Sequence, residues 1–399
     1  MRILVCAEEA PIPPFNGIRA PLAGLIERLR SSNDVRVLAY RMSDQSVETT
    51  EQMRILARPA SGAVKTASLF ARSLVGRRPL RPDWLAEKMA PALAQELARF
   101  RPDVVHVAAG RLGALAPDLE GRASVLWALD APHLNVEARA SVASPVKRRL
   151  LRGEAARWRR FEGRDWARFG AVVVVSREDA DALRAVDPRM AVHVIPGGIE
   201  ADRFAPRPQV EREAGRLVFH GVLDYAPNVA AARFLAREIV PLVRARRPHT
   251  ELVIVGRSPA PQVHELDRLD GVRIEADVPD VADWLTSASV YVCPMLSGTG
   301  IKNKLLEAMA NELPCVVTPL ALRGISAMPG RDVLVGENPD ELTGNIIRLL
   351  DDDALARSVG ASGRAYVIAE HDWSVIARSY ETLYRRLADR TLGTRAHNR

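Results

Sequence analysis

Cysteine is scarce in this chain, and what occurs is spread out. Cys6, Cys293 and Cys315 are far apart and odd in number, which excludes a disulfide scaffold and a paired-cysteine metal site and fits a reducing compartment. No apolar run approaches the roughly 20 residues that a membrane helix needs. The opening MRILVCAEEA carries acids where a signal peptide would have its apolar stretch, so a cytoplasmic protein is expected. No solenoid-type repeat, phosphate-binding Walker loop or nucleic-acid-binding module is recognisable, and no nucleic-acid partner is expected. Histidine and cysteine nowhere show zinc spacing. The D-x-D of Asp179 and Asp181 falls in a predicted helix, where side chains two apart diverge, and reads as surface charge rather than a metal site. Asp351–Asp353 reads as a helix start, and no metal is expected. Lysine is also rare. Only five of the 56 cations are lysine (Lys65, Lys88, Lys147, Lys302 and Lys304), and two of those stand together in GIKNK.

What is present is an ordinary globular mixture, 47% hydrophobic and 26% charged over 399 residues, enough for about two domains. The net charge of +7 favours anionic partners without choosing among them. Apolar strands alternate with helical patterns: MRILVCAE, a helix near 18–30, VRVLAY, DVVHVA, SVLWALD and AVVVVS. The alternation breaks at VHVIPGGIEADRFAPRPQVEREAG, which is rich in Pro, Gly and charge. It restarts with RLVFHG, a helix near 229–243, ELVIVG, VRIEADV, ASVYVCP, a helix near 302–311 and PCVVTP. Continuous apolar strands alternating with helices predict two doubly wound, parallel-sheet α/β domains of Rossmann-like type facing a cleft. The expected division is 1–198, a linker at 199–215, 216–375, and a terminal segment 376–399. Open parallel sheets bind ligands beyond the carboxyl ends of their strands, so a nucleotide-bearing ligand is the natural occupant.

The stretch ASVYVCPMLSGTGIKNKLLEAMANELPCVVTP carries the chemistry. A buried strand leads into a small-residue loop, Ser297, Gly298, Thr299 and Gly300, and then a helix. Small residues let the backbone approach a ligand, and the helix points free N–H groups back at the loop, a ready anion site. Lys302 and Lys304 at the helix start oppose its dipole unless an anion offsets them. Two solvated lysines are the bland alternative; the rarity of lysine elsewhere favours diphosphate binding.

Over nearly its full length the chain resembles the retaining GT-B glycosyltransferases of family four. GTGIKNKLLE followed by Ala308, Met309 and Ala310 is similar to the family's loop and helix. Glu307 matches the second Glu of its E-x7-E pair, which the resemblance assigns to the ribose hydroxyls. The first Glu of the pair is replaced by Thr299. A subgroup with G-[ST]-G-I-x-x-K-x-L-E fits better and includes Lys304. The segment LVFHGVLDYAPN is similar to the subgroup's Gly-x-x-Asp-Tyr-x-Pro-Asn, carried here by Gly221, Asp224, Tyr225, Pro227 and Asn228. The Arg and Lys that usually clamp the diphosphate near this point are absent, which makes Lys304 the leading cation. Independently of the resemblance, Asn228 and Pro227 read as a helix cap and its entry turn. FNGIRAPLAGLIERL resembles the family's first-strand loop N-G-G-x-x-R through Asn16, Gly17 and Arg19, with Ile18 for the second Gly. VIPGGIEADRFAP, VSREDADAL and EHDWSVIARSYETLY are similar to its linker, its V-S-x-x-D segment and its terminal segment, whose last helix typically crosses back to the first domain.

The resemblance implies a metal-independent enzyme that moves a sugar from a nucleotide-sugar donor to a glycan, lipid-linked or small-molecule acceptor, with the nucleotide sugar as substrate and no cofactor. Lys304, Glu307 and Asp130 are the expected catalytic residues. Gly17, Gly221, Tyr225, Asn228, Ser297, Gly298, Thr299, Gly300 and Lys302 complete the donor side. Arg19, Asp130, His133 and Glu162 form the acceptor side. Asp130 ends a strand where the family often carries a His-Asp pair, here with Leu129 in place of the His and His133 as a substitute; a structural Asp is the alternative. A GT-B-like nucleotide-sugar epimerase or hydrolase, or a degenerate non-catalytic binder, remain as other readings. The segment 145–169 holds nine cations against Glu154, Glu162 and Asp165, with Trp158, Phe161 and Phe169 near one helical face. It reads either as a core-packed helix with solvated arginines or as a peripheral contact with the inner membrane surface through buried aromatics.

Overall fold

The structure, a computed structural model, describes residues 1–12, 19–42, 45–58, 83–298 and 300–397. The chain divides into two compact units, residues 1–196 with 376–399, and residues 197–375.

The first unit is built on seven strands: β1 (Arg2–Ala7), β2 (Asp34–Arg41), β3 (Met53–Ala57), β4 (Val104–Ala108), β5 (Ser124–Leu129), β6 (Ala171–Val174) and β7 (Val192–Val194). They pair in the order β3-β2-β1-β4-β5-β6-β7, all parallel. Every residue of β4 and β6 is buried, as expected for strands covered on both faces. The helix Pro145–Asp165 and the turn after it send Trp158, Phe161, Trp166 and Phe169 into this unit's core. That overturns a membrane contact through those aromatics: their surface is already spent on protein. Gly110 and Gly113 admit the Trp166 ring, because a Cβ at either would lie 2.6 or 2.4 Å from an indole atom. Tyr380, Tyr384 and Leu387 of the last helix, Trp373–His397, are buried, and the Tyr384 hydroxyl lies 2.6 Å from His106 Nδ1 on β4.

The second unit carries β8 (Arg216–Val222), β9 (Glu251–Arg257), β10 (Val272–Ala276), β11 (Val290–Cys293), β12 (Cys315–Val317) and β13 (Leu334–Val335). Their order is β10-β9-β8-β11-β12-β13, again all parallel. Residues 197–215 are folded into this unit rather than free. Ile199 and Phe204 join its core, and Ile199 N–H donates to His371 O at 2.8 Å. The helix expected near 229–243 is Ala226–Phe234, continued through a π-turn to Val240–Arg246. Asp351 closes the helix Pro339–Asp351, and it is Asp352 that caps the next one, Asp353–Glu370, through its bond from Leu355 N–H. In both sheets the strand order reverses once, between β1 and β4 and between β8 and β11. Such reversals open a crevice at the carboxyl ends of the strands.

Candidate functional site: a cationic loop at the strand reversal

The two sequence motifs of the second unit leave the two strands that flank its reversal, β8 and β11. Folding therefore brings them together. Lys304 Nζ donates to Asn228 Oδ1 at 2.5 Å and lies 4.7 Å above the Phe219 ring. Asn228 in turn donates to Val222 O at 2.8 Å. Its side chain thus ties loop to lysine and does not cap the helix; Tyr225 holds the cap position, without a side-chain bond. Gly221 is required by this packing: a Cβ there would stand 2.7 Å from Lys304 Nζ and 2.8 Å from Asn228 Nδ2. Burial pulls the Lys304 pKa down to about 8, with Cys293 and Glu307 opposing the shift and Lys302 adding to it.

Lys302 is buried and precedes the helix Asn303–Ala310. Its ammonium folds back on the loop, donating to Gly298 O at 3.2 Å and Gly300 O at 2.5 Å. Burial lowers its pKa, and Arg323 adds to that. Neither lysine is the solvated side chain of the bland reading. Gly298 has φ +110°, a conformation that favours glycine, and a Cβ there would stand 3.6 Å from Pro227 of the other motif. Ser297, Gly300 and Tyr225 are exposed. Gly17 and Thr299 lie outside the described residues.

Glu307, one turn into the helix, keeps about a quarter of its side chain exposed and takes a 2.7 Å bond from His220 Nε2. His220 is buried at the end of β8 against Tyr291, with ring centroids 5.4 Å apart. Sequence reasoning passed over His220. Its one signal was a polar residue at a buried position of an apolar strand. With one carboxylate oxygen fixed by imidazole, the other remains available to hydroxyl donors. The loop and the helix that follows it together offer two ammonium groups, a helix N-terminus and an oriented carboxylate, groups that complement a sugar-linked diphosphate.

In the first unit, Asp130, His133 and Glu162 gather beyond β5. Leu129 adopts φ +68° where the β5–β6 register is irregular, and this strained turn presents Asp130. Asn135 donates to Asp130 at 2.7 Å. Burial pushes the Asp130 pKa up to about 6, against the Asn135 bond and helped by Asp179 and Glu162. Glu162 and His133 are fully enclosed. Glu162 accepts from His133 N–H at 3.2 Å and lies 2.5 Å from its Nδ1, so the pair fixes the turn that carries Asp130. Asp179 is not surface charge. It accepts from Ala131 N–H at 3.0 Å and from the Ser176 hydroxyl, while Ser176 caps the helix Arg177–Val186. Arg19 is buried, its Nε 2.8 Å from Glu9. Glu8 lies between Arg58 and Arg111 at 3.4 and 3.3 Å, also unforeseen. Among the described residues, no group of three or more His, Cys, Asp or Glu could hold a metal ion.

Two doubly wound parallel sheets, one with a cationic loop at its reversal, define a protein of the doubly wound α/β class. Comparison with known proteins gives the family. The model of Glycosyltransferase Family 4 matches residues 16–203 and that of Glycosyl transferases group 1 matches residues 214–352, and the chain belongs to these glycosyltransferases. It is 28% identical over 205 residues to the GDP-mannose-dependent monoacylated alpha-(1-6)-phosphatidylinositol monomannoside mannosyltransferase of Corynebacterium glutamicum, over 46% of this chain and 53% of that one. It is 30% identical over 203 residues to the phosphatidyl-myo-inositol mannosyltransferase of Mycobacterium leprae, over 47% and 53%. The chain thus spans about half the length of these curated relatives. Its fold is similar to that of sucrose-phosphate synthase from Thermosynechococcus elongatus, with a TM-score of 0.70 at 19% identity over 97% of this chain and 99% of that one. No described helix is long and apolar enough to cross a membrane.

Proposed function

We propose that the protein transfers a sugar, with retention at the anomeric carbon, from a nucleotide-sugar donor held by the second unit to a hydroxyl-bearing acceptor served by the first. The observation that carries this is the Lys304–Asn228 contact, which joins both motifs at the β8–β11 reversal beside the carboxylate of Glu307. Glu307 binds the ribose hydroxyls. The loop 297–300, Lys304 and the N–H groups of Asn303–Ala310 take the diphosphate. As the bond from the sugar carbon to the phosphate oxygen breaks, that oxygen keeps the electron pair and gains charge. The acceptor oxygen bonds to the same carbon, and its proton passes to the departing diphosphate. Donors already aimed at the developing charge stabilise it without reorganisation. Asp130, neutral below about pH 6 and charged above, orients the acceptor.

The test is a thermal-shift panel of UDP, GDP, ADP and dTDP sugars, followed by transfer and donor-hydrolysis assays. GDP-mannose comes first because the name of the Corynebacterium relative carries it. A true donor raises apparent stability by mass action. Binding without turnover for every acceptor supports a non-catalytic binder instead.

A peripheral membrane address is proposed on a different footing from the core-packed aromatics. Val142, Val146 and Leu150 are 87, 77 and 68% exposed, and Lys147, Arg149 and Arg152 stand exposed beside them. This tip suits an anionic bilayer and a lipid-linked acceptor. Cosedimentation with anionic vesicles that survives Val146→Glu with Leu150→Glu overturns it.

A further inference from the structure

The second unit has another concave site, at the end of the sheet away from the lysine loop. A cavity of about 480 Å³ is lined by Gly215, Thr250 and Ser289, the residues immediately before β8, β9 and β11. Gly221 and residues 294–298 lie at the opposite, carboxyl ends of β8 and β11. Seven residues of β8 at about 3.3 Å each separate the two edges by roughly 20 Å. The donor loop and this cavity are therefore distinct sites.

The wall is cationic. Arg212, Arg247 and Arg357 line it, with His249 beside them, against one lining carboxylate, Asp353. Arg247 Nη2 donates to Leu350 O at 3.1 Å and pairs with Asp351. Arg357 is exposed and makes no hydrogen bond or ion pair to another described residue. Among the described residues Arg212 bonds through Nη2 alone, to Asn311 O at 3.3 Å and Glu312 O at 3.0 Å, which leaves its other N–H groups for a ligand. The remaining wall includes Pro248, Leu349 and Leu350, apolar surface with no use for a bare inorganic ion. Several arginines beside apolar surface, in a volume within the range of about 300–1,000 Å³ common for small-molecule sites, select an organic molecule with a doubly charged head.

We propose that this cavity binds a phosphomonoester, and that Arg212 links it to the donor site. The two carbonyls held by Arg212 belong to the turn that ends the helix Asn303–Ala310, whose other end carries Lys302 and Lys304. Glu312 sits there at φ +60°, a conformation that side chains seldom adopt and that the surrounding contacts must hold. A ligand that orders the Arg212 guanidinium from its free side tightens the turn. Binding in the cavity stands without the donor reading; only its consequence for the lysines rests on it.

Calorimetry with phenyl phosphate and inorganic phosphate as probes, and hydrogen exchange on the full chain, test both parts. Phenyl phosphate is expected to bind one per chain, more tightly than inorganic phosphate, and undisplaced by a nucleoside diphosphate. Arg357→Ala with His249→Ala replaces two exposed side chains and should weaken it about tenfold with unchanged melting in the absence of probe. Bound probe should slow exchange of the Asn311, Glu312 and Leu313 amides. No binding, equal binding by the variant, displacement by the diphosphate, or a response only to vesicles of phosphatidic acid overturns the site. Binding with unaltered exchange at the turn overturns the link through Arg212. Loss of nucleotide binding in Glu307→Ala bears on the donor reading alone.

Discussion

Lys304 and Glu307 share one helix but should fail differently when replaced. On the proposed reading, Glu307→Ala removes a charged hydrogen-bond acceptor that the nucleotide uses in ground and transition states alike. Nucleotide affinity should fall about 10- to 100-fold, and activity with it, as read by calorimetry and initial rates. On the same reading, Lys304→Ala removes a cation that meets charge growing as the bond breaks, so turnover should fall more than affinity, by on the order of 10²-fold. The lysine also sets a pH limit. Burial brings its pKa down to about 8, so the free protein loses this charge as pH rises through that value. Diphosphate affinity should decline above it, and Lys304→Met should flatten the profile. Folding stability moves the other way. Above its folded pKa the lysine is already neutral in the folded state while the unfolded chain still holds the proton, so its stability penalty shrinks as pH rises toward the unfolded value near 10.4. Asp130 has the complementary behaviour. Its raised pKa means the folded state keeps a proton that the unfolded state releases, so stability drops as pH rises from about 4 to about 6. Asp130→Asn should remove that slope and stabilise the protein at neutral pH by on the order of 1 kcal/mol in denaturant titrations. It should also impair acceptor use, the test of Asp130 as more than a structural residue.

At the scale of elements, close approach dictates residue choice. Gly113 lies where a Cβ would stand 2.4 Å from the Trp166 indole nitrogen, and that nitrogen donates to Gly110 O at 3.1 Å. Gly113→Ala should destabilise the first unit by about 1–3 kcal/mol, measured by urea unfolding, because the ring has little room to give in a close-packed core. The parallel strands and their helices were legible because burial on both faces writes itself as continuous apolar runs. The loop of residues 297–300 and its lysines were legible because glycine and lysine are conspicuous there. What the lysines touch was not. Lys304 and Asn228 lie 76 residues apart, and His220 and Glu307 lie 87 apart. Nothing local in VFHG or APNV distinguishes a residue that orients a distant carboxylate from one that finishes a strand or caps a helix. Asp179 misled for the same reason: a helix surface position became partly enclosed because the Ala131 N–H reached it from another element. The aromatics of Pro145–Asp165 fitted both a lipid face and the favoured protein core by periodicity, and the packing partners bear out the core.

At the scale of the molecule, the two units differ in how the chain supplies them. The second is one continuous stretch, 197–375, with its own six-stranded sheet and core, closed by the bridge between Ile199 and Asp372. The first is discontinuous: residues 376–399 return to it, and they bring Tyr380, Tyr384 and Leu387 as buried side chains. His106, fully enclosed on β4, has its Nδ1 met by the Tyr384 hydroxyl and by no other described residue, and burial drives its pKa down to about 3. Without the last helix that histidine and the apolar floor around it meet water. Residues 197–375 expressed alone should therefore unfold cooperatively and retain nucleotide binding, whereas residues 1–196 alone should lack a sharp transition. Supplying 376–399 to 1–196 through a flexible linker should restore the transition, and Tyr384→Phe in that chain should lower its stability by about 1–3 kcal/mol, the cost of leaving a buried ring nitrogen unpaired. If 1–196 melts as sharply as the linked form, the terminal helix contributes no essential part of the first unit's core.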